Sequence, residues 1–263
     1  MRKIYLFTFM MLLLVHLKGQ AQQITLHVER AGTLHGMINA SRLPYITDLK
    51  LTGELNGTDI SFIRTLVKKN LRFLDLSEAR IVEGGAIYYS NYRTSNDIIG
   101  SYMFYNPDYS PISPCAISKI NLPNSVTGIE EGAFKSCTRL TDINIPNSVT
   151  SIGEQAFYNC DNLKSVYMNA STPPFIGSQA FHNISKDLTI YIPRGSYTAY
   201  WLSYWGNYNL VEYDPTDIQG VTTSAHNGVE KYFSIDGRPL PGPCKGVNII
   251  QDTDGKTRKA GIP

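Results

Sequence analysis

SKINLPNSVTGIEEGAFKSCTRL (118–140) runs directly into TDINIPNSVTSIGEQAFYNCDNL (141–163), so one 23-residue pattern occurs twice in succession. Equivalent positions of such copies stack on one another in a solenoid, because a single coil cannot bury its own apolar face. The few apolar side chains of one coil do not offset the backbone entropy lost on folding. Contacts between neighbouring coils must therefore supply the stability. The positions in register are Leu122 and Ile145, Pro123 and Pro146, Phe134 and Phe157, Cys137 and Cys160, and Leu140 and Leu163.

The repeat continues more loosely on both sides of these two copies. IGSQAF (176–181) repeats IGEQAF (152–157), and IGSYMF (99–104) carries the same signal upstream. We count about six short strands, in each of which two apolar residues flank one that points the other way, as in a half-buried strand. Side by side they predict one parallel sheet in an α+β repeat solenoid. The flanking pairs are Leu49/Leu51, Leu74/Leu76, Ile120/Leu122, Ile143/Ile145, Val166/Met168 and Ile190/Ile192.

These segments resemble the bacterial leucine-rich repeats of the BspA-like surface-antigen type. In that family a short strand ending in Pro is followed by I-G-x-x-A-F and then by a C-x-x-L turn. The resemblance is specific over residues 118–193 and looser over 43–117. It implies a right-handed superhelix in a secreted or surface-exposed protein that adheres to matrix proteins or cells. It brings no catalytic residues with it.

Residues 1–21 have the layout of a secretory signal peptide. Arg2 and Lys3 precede an apolar run over 4–17, and small residues follow at 19–21. The run is short for a membrane span, so we predict its removal and an exported mature chain; an uncleaved anchor is the alternative. The net charge then changes from +2 to −1, because the leader carries three basic and no acidic residues. A nearly neutral chain is not typical of a nucleic-acid partner, and the mature sequence has no further apolar run of membrane length.

Four cysteines in an exported chain raise the question of disulfides. Cys137 and Cys160 hold one repeat position, so their side chains point in parallel, whereas a disulfide needs them to converge. We predict two stacked, buried free thiols there. Cys115 and Cys244 are too isolated in the sequence to be paired or dismissed.

Both ends of the solenoid are predicted to be capped, because an open coil exposes its apolar interior. The N-terminal cap is expected over residues 22–43. Segment 58–70 predicts a helix behind the first coil, with Thr58 or Asp59 as N-cap. At the far end, 192–213 is expected to form a helix with one aromatic face packed on the last coil. That face comprises Tyr197, Tyr200, Trp201, Tyr204, Trp205 and Tyr208.

A linker over 214–228 leads to a tail over 229–263, which we predict to be a small β-hairpin unit. Its strand-like runs are Tyr232 to Ile235 and Val247 to Ile250, with Asp-Gly turn signals at 236–237 and 254–255. The tail also resembles the segment that ends many exported Bacteroidetes proteins, some versions of which act as sorting signals. A plain structural hairpin is the alternative, because the closing residues AGIP depart from that pattern.

The sequence carries no recognisable catalytic motif. HExxH, GxSxG and phosphate-binding Gly-rich loops are absent. Glu130 and Glu131 are adjacent on the chain, so their carboxylates need not converge as an acid–base pair must. His182 follows the Phe of a repeat at a position expected on the surface. We predict neither an enzyme nor a cofactor or metal site.

The coil from Leu74 to Ile120 is about twice the standard length. Its excess, 84–97 and 105–115, is rich in Tyr, Ser, Asn, Gly and Pro, a mixture that binding loops favour. A mobile loop without a partner is the alternative interpretation.

The outward-facing strand residues would form one extended surface, the usual contact face of repeat proteins. We therefore predict a non-catalytic, adhesin-like binding protein, secreted or on the cell surface, whose partner is a host-matrix or cell-surface protein. The alternative is a glycan-binding module of an exported complex, with the aromatic residues of the C-terminal cap as a sugar platform. The candidate contact residues are Lys119, Asn121, Asp142, Asn144, Ser165, Tyr167 and Tyr191 on the strands, and Tyr88, Tyr89 and Tyr92 in the insertion.

Overall fold

The computed structural model describes residues 22–105, 107, 115–214, 231–234, 239–240, 246–251 and 257–262. The predicted signal peptide, Cys244, Pro263 and most of the predicted linker lie outside the described residues. Two compact units divide between Pro215 and Thr216. Within the described ranges, no helix combines the length and the apolar character needed to cross a bilayer.

The described elements are mostly short strands. The helices are α1 (Leu34–Met37), α2 (Gly57–Val67) and α3 (Tyr197–Trp201), with 3-10 helices η1 (Ala40–Tyr45) and η2 (Tyr204–Asn207). The strands are β1 (Gln22–Val28), β2 (Ile46–Leu55), β3 (Phe73–Ile81), β4 (Gly84–Tyr89), β5 (Tyr92–Thr94), β6 (Ile98–Ile99), β7 (Lys119–Asn121), β8 (Gly128–Ile129), β9 (Asp142–Ile145), β10 (Ser151–Ile152), β11 (Ser165–Met168), β12 (Phe175–Ile176), β13 (Thr189–Pro193), β14 (Asn209–Tyr213), β15 (Lys231–Ser234), β16 (Pro239–Leu240), β17 (Gly246–Gln251) and β18 (Thr257–Ile262).

Eight parallel strands form the main sheet, in the order β1-β2-β3-β7-β9-β11-β13-β14. The register follows the repeat, because Ile143 lies opposite both Ile120 and Val166. The predicted number of about six strands is too low. Segments 22–28 and 209–213, which the sequence assigns to the caps, continue the sheet by one strand at each edge.

A second parallel sheet lies on another side of the coils, in the order β12-β10-β8-β6, with two residues from each strand. The Gly of the I-G-x-x-A-F signature follows β10 and β12. A Cβ atom on Gly153 would lie 2.6 Å from the backbone N of Glu131, and one on Gly177 would lie 2.5 Å from the backbone N of Glu154. Any side chain here would push neighbouring coils apart, so the signature encodes a close approach of backbones.

A ladder of phenylalanines runs through the core between the two sheets. The rings of Phe104, Phe134, Phe157 and Phe181 stack with centroid separations of 5.2, 5.1 and 4.9 Å and interplanar angles of 15° or less. All four side chains are buried. Each ring stacks on the ring of the neighbouring coil, which is the stacking that the 23-residue spacing predicts.

The first coil is held by a buried carboxylate. The N-cap of α2 is Asn56, whose side chain accepts a hydrogen bond from the Thr58 N–H, and the predicted N-cap at Thr58 or Asp59 is wrong. Asp59 is instead the third helical residue of a capping box. Its carboxylate accepts from the backbone N–H groups of Gly32, Leu34 and Asn56. It therefore ties the segment after β1 to the start of α2.

At the other end, two short helices cover the last coil. The Tyr200 hydroxyl donates to the Ala170 carbonyl at 2.7 Å, and Trp205 Nε1 donates to the Pro174 carbonyl at 2.8 Å. The buried Trp205 ring lies 5.7 Å from Phe181, at the end of the phenylalanine ladder. The prediction of one helix with a single buried aromatic face is wrong, because α3 ends at residue 201 and η2 begins at 204.

The described cysteines are all buried and free. The prediction for Cys137 and Cys160 is confirmed: their thiols donate to the carbonyls of Phe104 and Phe134, at 3.3 and 3.1 Å. Cys115 joins them in the interior, which the sequence does not reveal.

The second unit is a four-stranded antiparallel sheet, in the order β16-β15-β17-β18. The predicted strand-like runs coincide with β15 and β17, which pair with each other. The sequence predicts a single hairpin, whereas residues 239–240 and 257–262 add one strand to each side of this pair.

Candidate binding surface

Two rows of side chains run across the outward side of the main sheet, here called the outer face. Because side chains alternate along a strand, they face away from the buried Ile143, Val166 and Ile190. The first row is Asp48, Phe73, Lys119, Asp142, Ser165, Thr189 and Asn209, and the second is Lys50, Asp75, Asn121, Asn144, Tyr167, Tyr191 and Val211. The structure thus aligns all seven strand residues named from the sequence and continues their rows to Asn209 and Val211 on β14.

Charge is unevenly distributed along the outer face. The strands from β2 to β9 carry acidic and basic side chains, including Lys50, whose Nζ lies 2.5 Å from Glu78 Oε1. The hydrogen bond to Glu78 raises the pKa of Lys50. From Ser165 to Val211 the two rows contain no charged residue. The outer face is therefore polar and charged at one end and neutral at the other.

Three tyrosines dominate the neutral end. We call Tyr167, Tyr191 and Tyr213 the tyrosine cluster. The first two rings stack at 4.6 Å, and Tyr213 meets them edge-on at 5.7 and 6.5 Å. The Tyr213 hydroxyl donates to Asn169 Oδ1 at 2.6 Å, and burial raises the pKa of Tyr213 to about 12. The rings are half-buried, and their mutual contacts fix their positions.

Asn144 lies beside this cluster in the second row, paired with Tyr167 of the next strand. Its Oδ1 atom is buried and accepts no hydrogen bond within the described part of the chain. An unsatisfied buried acceptor costs about 1 to 3 kcal/mol. The outer face therefore holds a hydrogen-bond acceptor without a donor next to fixed aromatic rings.

A family model described as a BspA type leucine-rich repeat region matches residues 98–216 in six copies. Residues 98–216 of this chain are a BspA-type leucine-rich repeat region. The matched region contains the tyrosine cluster and the outer face from β7 to β14. BspA-type repeats are commonly adhesion or protein-binding modules, and the family is typically non-catalytic and surface-exposed or exported. No curated protein matches the chain.

The Tyr-rich insertion of this BspA-type protein is folded over its described part. β4 and β5 form an antiparallel hairpin that packs on α2. Tyr88 is buried, and its hydroxyl donates to the Ser101 carbonyl at 2.8 Å. A side chain in this position does not reach a partner. Tyr88 therefore belongs to the core and not to a contact surface.

Tyr89 and Tyr92 are half-buried against the turn before Phe104. Tyr89 lies 6.1 Å from the ring of Tyr102, and Tyr92 lies 5.4 Å from it. The guanidinium of Arg64 lies over the Tyr89 ring, 4.7 Å from its centroid. These contacts join the hairpin to α2 and to the turn before Phe104 of the BspA-type protein, and the remaining ring edges lie at its surface.

The segment of α3 and η2 exposes a second aromatic surface, which we call the aromatic patch. Its members are Tyr197, Trp201, Leu202 and Tyr204. Trp201 is 56% exposed, and its ring is nearly parallel to that of Tyr197, with an interplanar angle of 11° and a centroid separation of 6.0 Å. The sequence places all cap aromatics on one packed face, whereas the break after α3 turns these outward.

The adjacent acids of the BspA-type repeat accept hydrogen bonds from two consecutive residues of the coil before them. Glu130 accepts from the backbone N–H and the hydroxyl of Ser101, both at 2.9 Å, and Glu131 accepts from the Tyr102 hydroxyl. His182 is exposed and stacks on the ring of Tyr158, as expected for a surface position. Within the described residues, no group of three His, Cys, Asp or Glu side chains is placed to hold a metal ion.

Proposed function

We propose that this BspA-type protein is an exported, non-catalytic, adhesin-like protein that binds a host-matrix or cell-surface protein through its outer face. Tyr88 is excluded because it is buried, whereas Tyr89 and Tyr92 are half-buried on the insertion and remain candidate contacts. The proposed contact residues are Lys119, Asn121, Asp142, Asn144, Ser165, Tyr167 and Tyr191, extended by Asn209, Val211 and Tyr213.

The tyrosine cluster is the observation that carries this proposal. Tyrosine is enriched among residues that dominate binding energy, because it contributes large contact area and a polar tip. Its rings are already held by one another and by the bond from Tyr213 to Asn169, so little side-chain entropy is lost on binding. A donor from the partner would satisfy Asn144 Oδ1 after a small rotation of the amide.

Export and geometry complete the proposal. The signal peptide over 1–21 would direct secretion, and the four-stranded tail unit would act as a sorting segment of the Bacteroidetes type. A right-handed superhelix would place the main sheet along its concave side. The outer face, which is the side of that sheet turned away from the core, would then be a continuous concave strip that could bind an extended protein surface.

The binding test replaces Asn121, Tyr167 and Tyr191 by Thr in the full chain. Thr keeps the β propensity of the strands, while the aromatic contacts and the amide are lost. An array of immobilised matrix proteins and glycans identifies a binder of the wild-type chain, and surface plasmon resonance measures its Kd. We expect the triple variant to bind about 30-fold or more weakly, since loss of a binding hot spot costs about 2 kcal/mol or more.

The matched control is Tyr45→Thr, since Tyr45 is 53% exposed and lies away from the sheet rows. Its affinity should equal that of the wild type. Unaltered affinity of the triple variant, with an unaltered Tm, would exclude the outer face as the contact surface.

The aromatic patch favours glycan binding as a second candidate function. Pyranose rings stack their C–H faces on exposed aromatic rings, and Trp201 and Tyr197 offer nearly parallel rings at the surface. The two tryptophans of the chain differ sharply in environment, because Trp205 is buried whereas Trp201 is largely exposed.

Acrylamide quenching of tryptophan fluorescence tests this candidate. We expect one quenchable and one shielded population, with Trp201→Phe removing the quenchable one. A bound sugar should protect Trp201 from quenching, and Trp201→Ala should weaken sugar binding about 10-fold or more, in line with base–aromatic stacking energies of about 1 to 3 kcal/mol. If sugars that bind the chain leave quenching unchanged, the patch is not their site.

A further inference from the structure

Three cysteines meet in the interior where the long coil rejoins the repeat. Cys115, Cys137 and Cys160 are each 2% exposed or less. The thiols of Cys137 and Cys160 reach backbone carbonyls of the coils before them. Cys115 lines a small cavity with Phe104, the residue whose carbonyl accepts from Cys137, and the two cysteine side chains influence each other's acidity. The two thiols therefore come from adjacent coils and lie close to each other.

Spacing along the repeat distinguishes the Cys115–Cys137 pair from the Cys137–Cys160 pair. Cys137 and Cys160 are 23 residues apart, one full repeat, so they are equivalent positions whose side chains run parallel. Cys115 lies 22 residues before Cys137, one short of the repeat. It therefore approaches Cys137 from a different position of its coil. Convergent side chains on neighbouring backbones are the arrangement that a disulfide requires.

A buried arginine sits beside Cys115. Arg64 is 8% exposed and donates to the carbonyls of Tyr102, Met103 and Tyr105, at 2.9, 2.7 and 3.3 Å. Arg64 and Cys115 line one small cavity together with Phe104, whose carbonyl accepts from Cys137. Carbonyl groups carry no net charge, so the positive charge of Arg64 favours a thiolate nearby.

The two thiols differ in acidity. The pKa of Cys115 is lowered, first by the hydrogen bond from Cys137 and also by the amide of Ile117 and the charge of Arg64. The hydrogen bond to Cys115 and burial raise the pKa of Cys137. Cys115 is thus the nucleophile of the pair, and Cys137 is the resolving thiol.

We propose that Cys115 and Cys137 form an intramolecular disulfide when the chain meets a disulfide donor. The Cys115 thiolate attacks one sulfur of the donor, and one donor thiolate leaves. Cys137 passes its proton to that thiolate and attacks the Cys115 sulfur of the mixed disulfide, releasing the second donor thiolate, which takes up the proton that Cys115 had lost. The two cysteines lose two electrons and two protons, and the donor is reduced to two thiols.

The crosslink would fasten the long coil from Leu74 to Ile120 to the regular ones. Cys115 is the last residue of the excess in that coil, and its neighbour Ala116 donates to the Val67 carbonyl at 3.0 Å. A disulfide that closes a loop of this length restricts the unfolded chain and raises stability. It leaves Cys160 free and the outer face unchanged.

Peptide mapping tests the proposal directly. The full chain is unfolded, refolded in a buffer with excess oxidised glutathione, and alkylated before digestion with trypsin. We expect residues 94–119 linked to 136–139, in the wild type and in the control Cys160→Ser, and no link in Cys137→Ser. Reduction should lower the Tm of the wild type by about 6 to 12 °C and leave that of Cys115→Ser unchanged.

Complete alkylation of Cys115 and Cys137 after refolding would overturn the proposal, and so would a link from Cys115 to Cys160 or Cys244. Should Cys115→Ser fail to fold, the wild-type and Cys160→Ser maps still decide between these outcomes.

Discussion

Replacing Phe157 by Ala should lower the free energy of unfolding by about 3 to 5 kcal/mol, the range for removal of a buried Phe side chain. Phe157 is the middle of the phenylalanine ladder, 5.1 Å from Phe134 and 4.9 Å from Phe181. Its loss leaves a cavity open on both sides. The coils cannot close it, because the Phe157 N–H is bonded to the Ala180 carbonyl at 2.8 Å.

Differential scanning calorimetry measures the effect as a fall in Tm of about 6 to 20 °C. The matched control is Phe175→Ala, because Phe175 is 69% exposed on β12. Its Tm should stay within about 2 °C of the wild type, as for most surface substitutions. Equal Tm values for the two variants would show that the ladder does not carry the stability of the coils.

Asp59→Ala should cost about 3 kcal/mol or more. The substitution leaves the buried Leu34 N–H and the partly buried N–H groups of Gly32 and Asn56 without their acceptor, and a buried donor left unpaired costs about 1 to 3 kcal/mol. It also removes a negative charge from the N-terminal turn of α2, where the helix dipole favours one. Asp59→Asn, which keeps one oxygen acceptor, should lie between the wild type and Asp59→Ala.

Hydrogen exchange identifies the part of the chain that responds. Amides of residues 22–34 should lose protection first in Asp59→Ala, because this carboxylate joins that segment to α2. Asp187→Ala removes an exposed carboxylate and serves as control. Uniform loss of protection over the whole solenoid, or unchanged protection at 22–34, would refute the anchoring role of Asp59.

The repeating part of the fold follows from the sequence because repetition is itself the structural rule. Once Ile120 and Ile143 are 23 residues apart and Val166 a further 23, the pairing of β7, β9 and β11 follows. The same translation stacks the Phe side chains and aligns Asn121, Asn144 and Tyr167. These features can be predicted from the spacing of the repeat alone, without knowledge of contacts elsewhere in the chain.

The edge strands could not be assigned in this way, since they do not repeat the pattern. Residues 22–28 alternate apolar and polar side chains, which fits a cap as well as a strand. Residues 209–213 follow an aromatic stretch whose helical spacing extends the helix prediction too far. The N-cap of α2 could have been predicted, because Asn56 and Asp59 have the spacing of a capping box. The sequence alone did not single it out, because Thr58 and Asp59 are also favoured capping residues.

The prediction of Tyr88 as a contact residue was wrong because it rested on the composition of the insertion alone. Tyrosines among Ser, Gly and Asn occur in binding loops and in small folded hairpins alike. The distinction rests on the bond from the Tyr88 hydroxyl to the Ser101 carbonyl, a contact that depends on how the insertion folds back. The approach of Cys115 to Cys137 likewise depends on how the chain returns from the insertion, and the sequence contains no repeat that sets it.

The identical step between coils also bears on how the gene can change. Recombination between the segments encoding 118–140 and 141–163 adds or deletes one coil, and the new junction presents the same ring, the same backbone groups and the same register as the old one. Each event lengthens or shortens the outer face by one strand spacing, about 4.8 Å. Copy number therefore sets the length of the outer face, while the phenylalanine stacking that stabilises the coils is inherited intact.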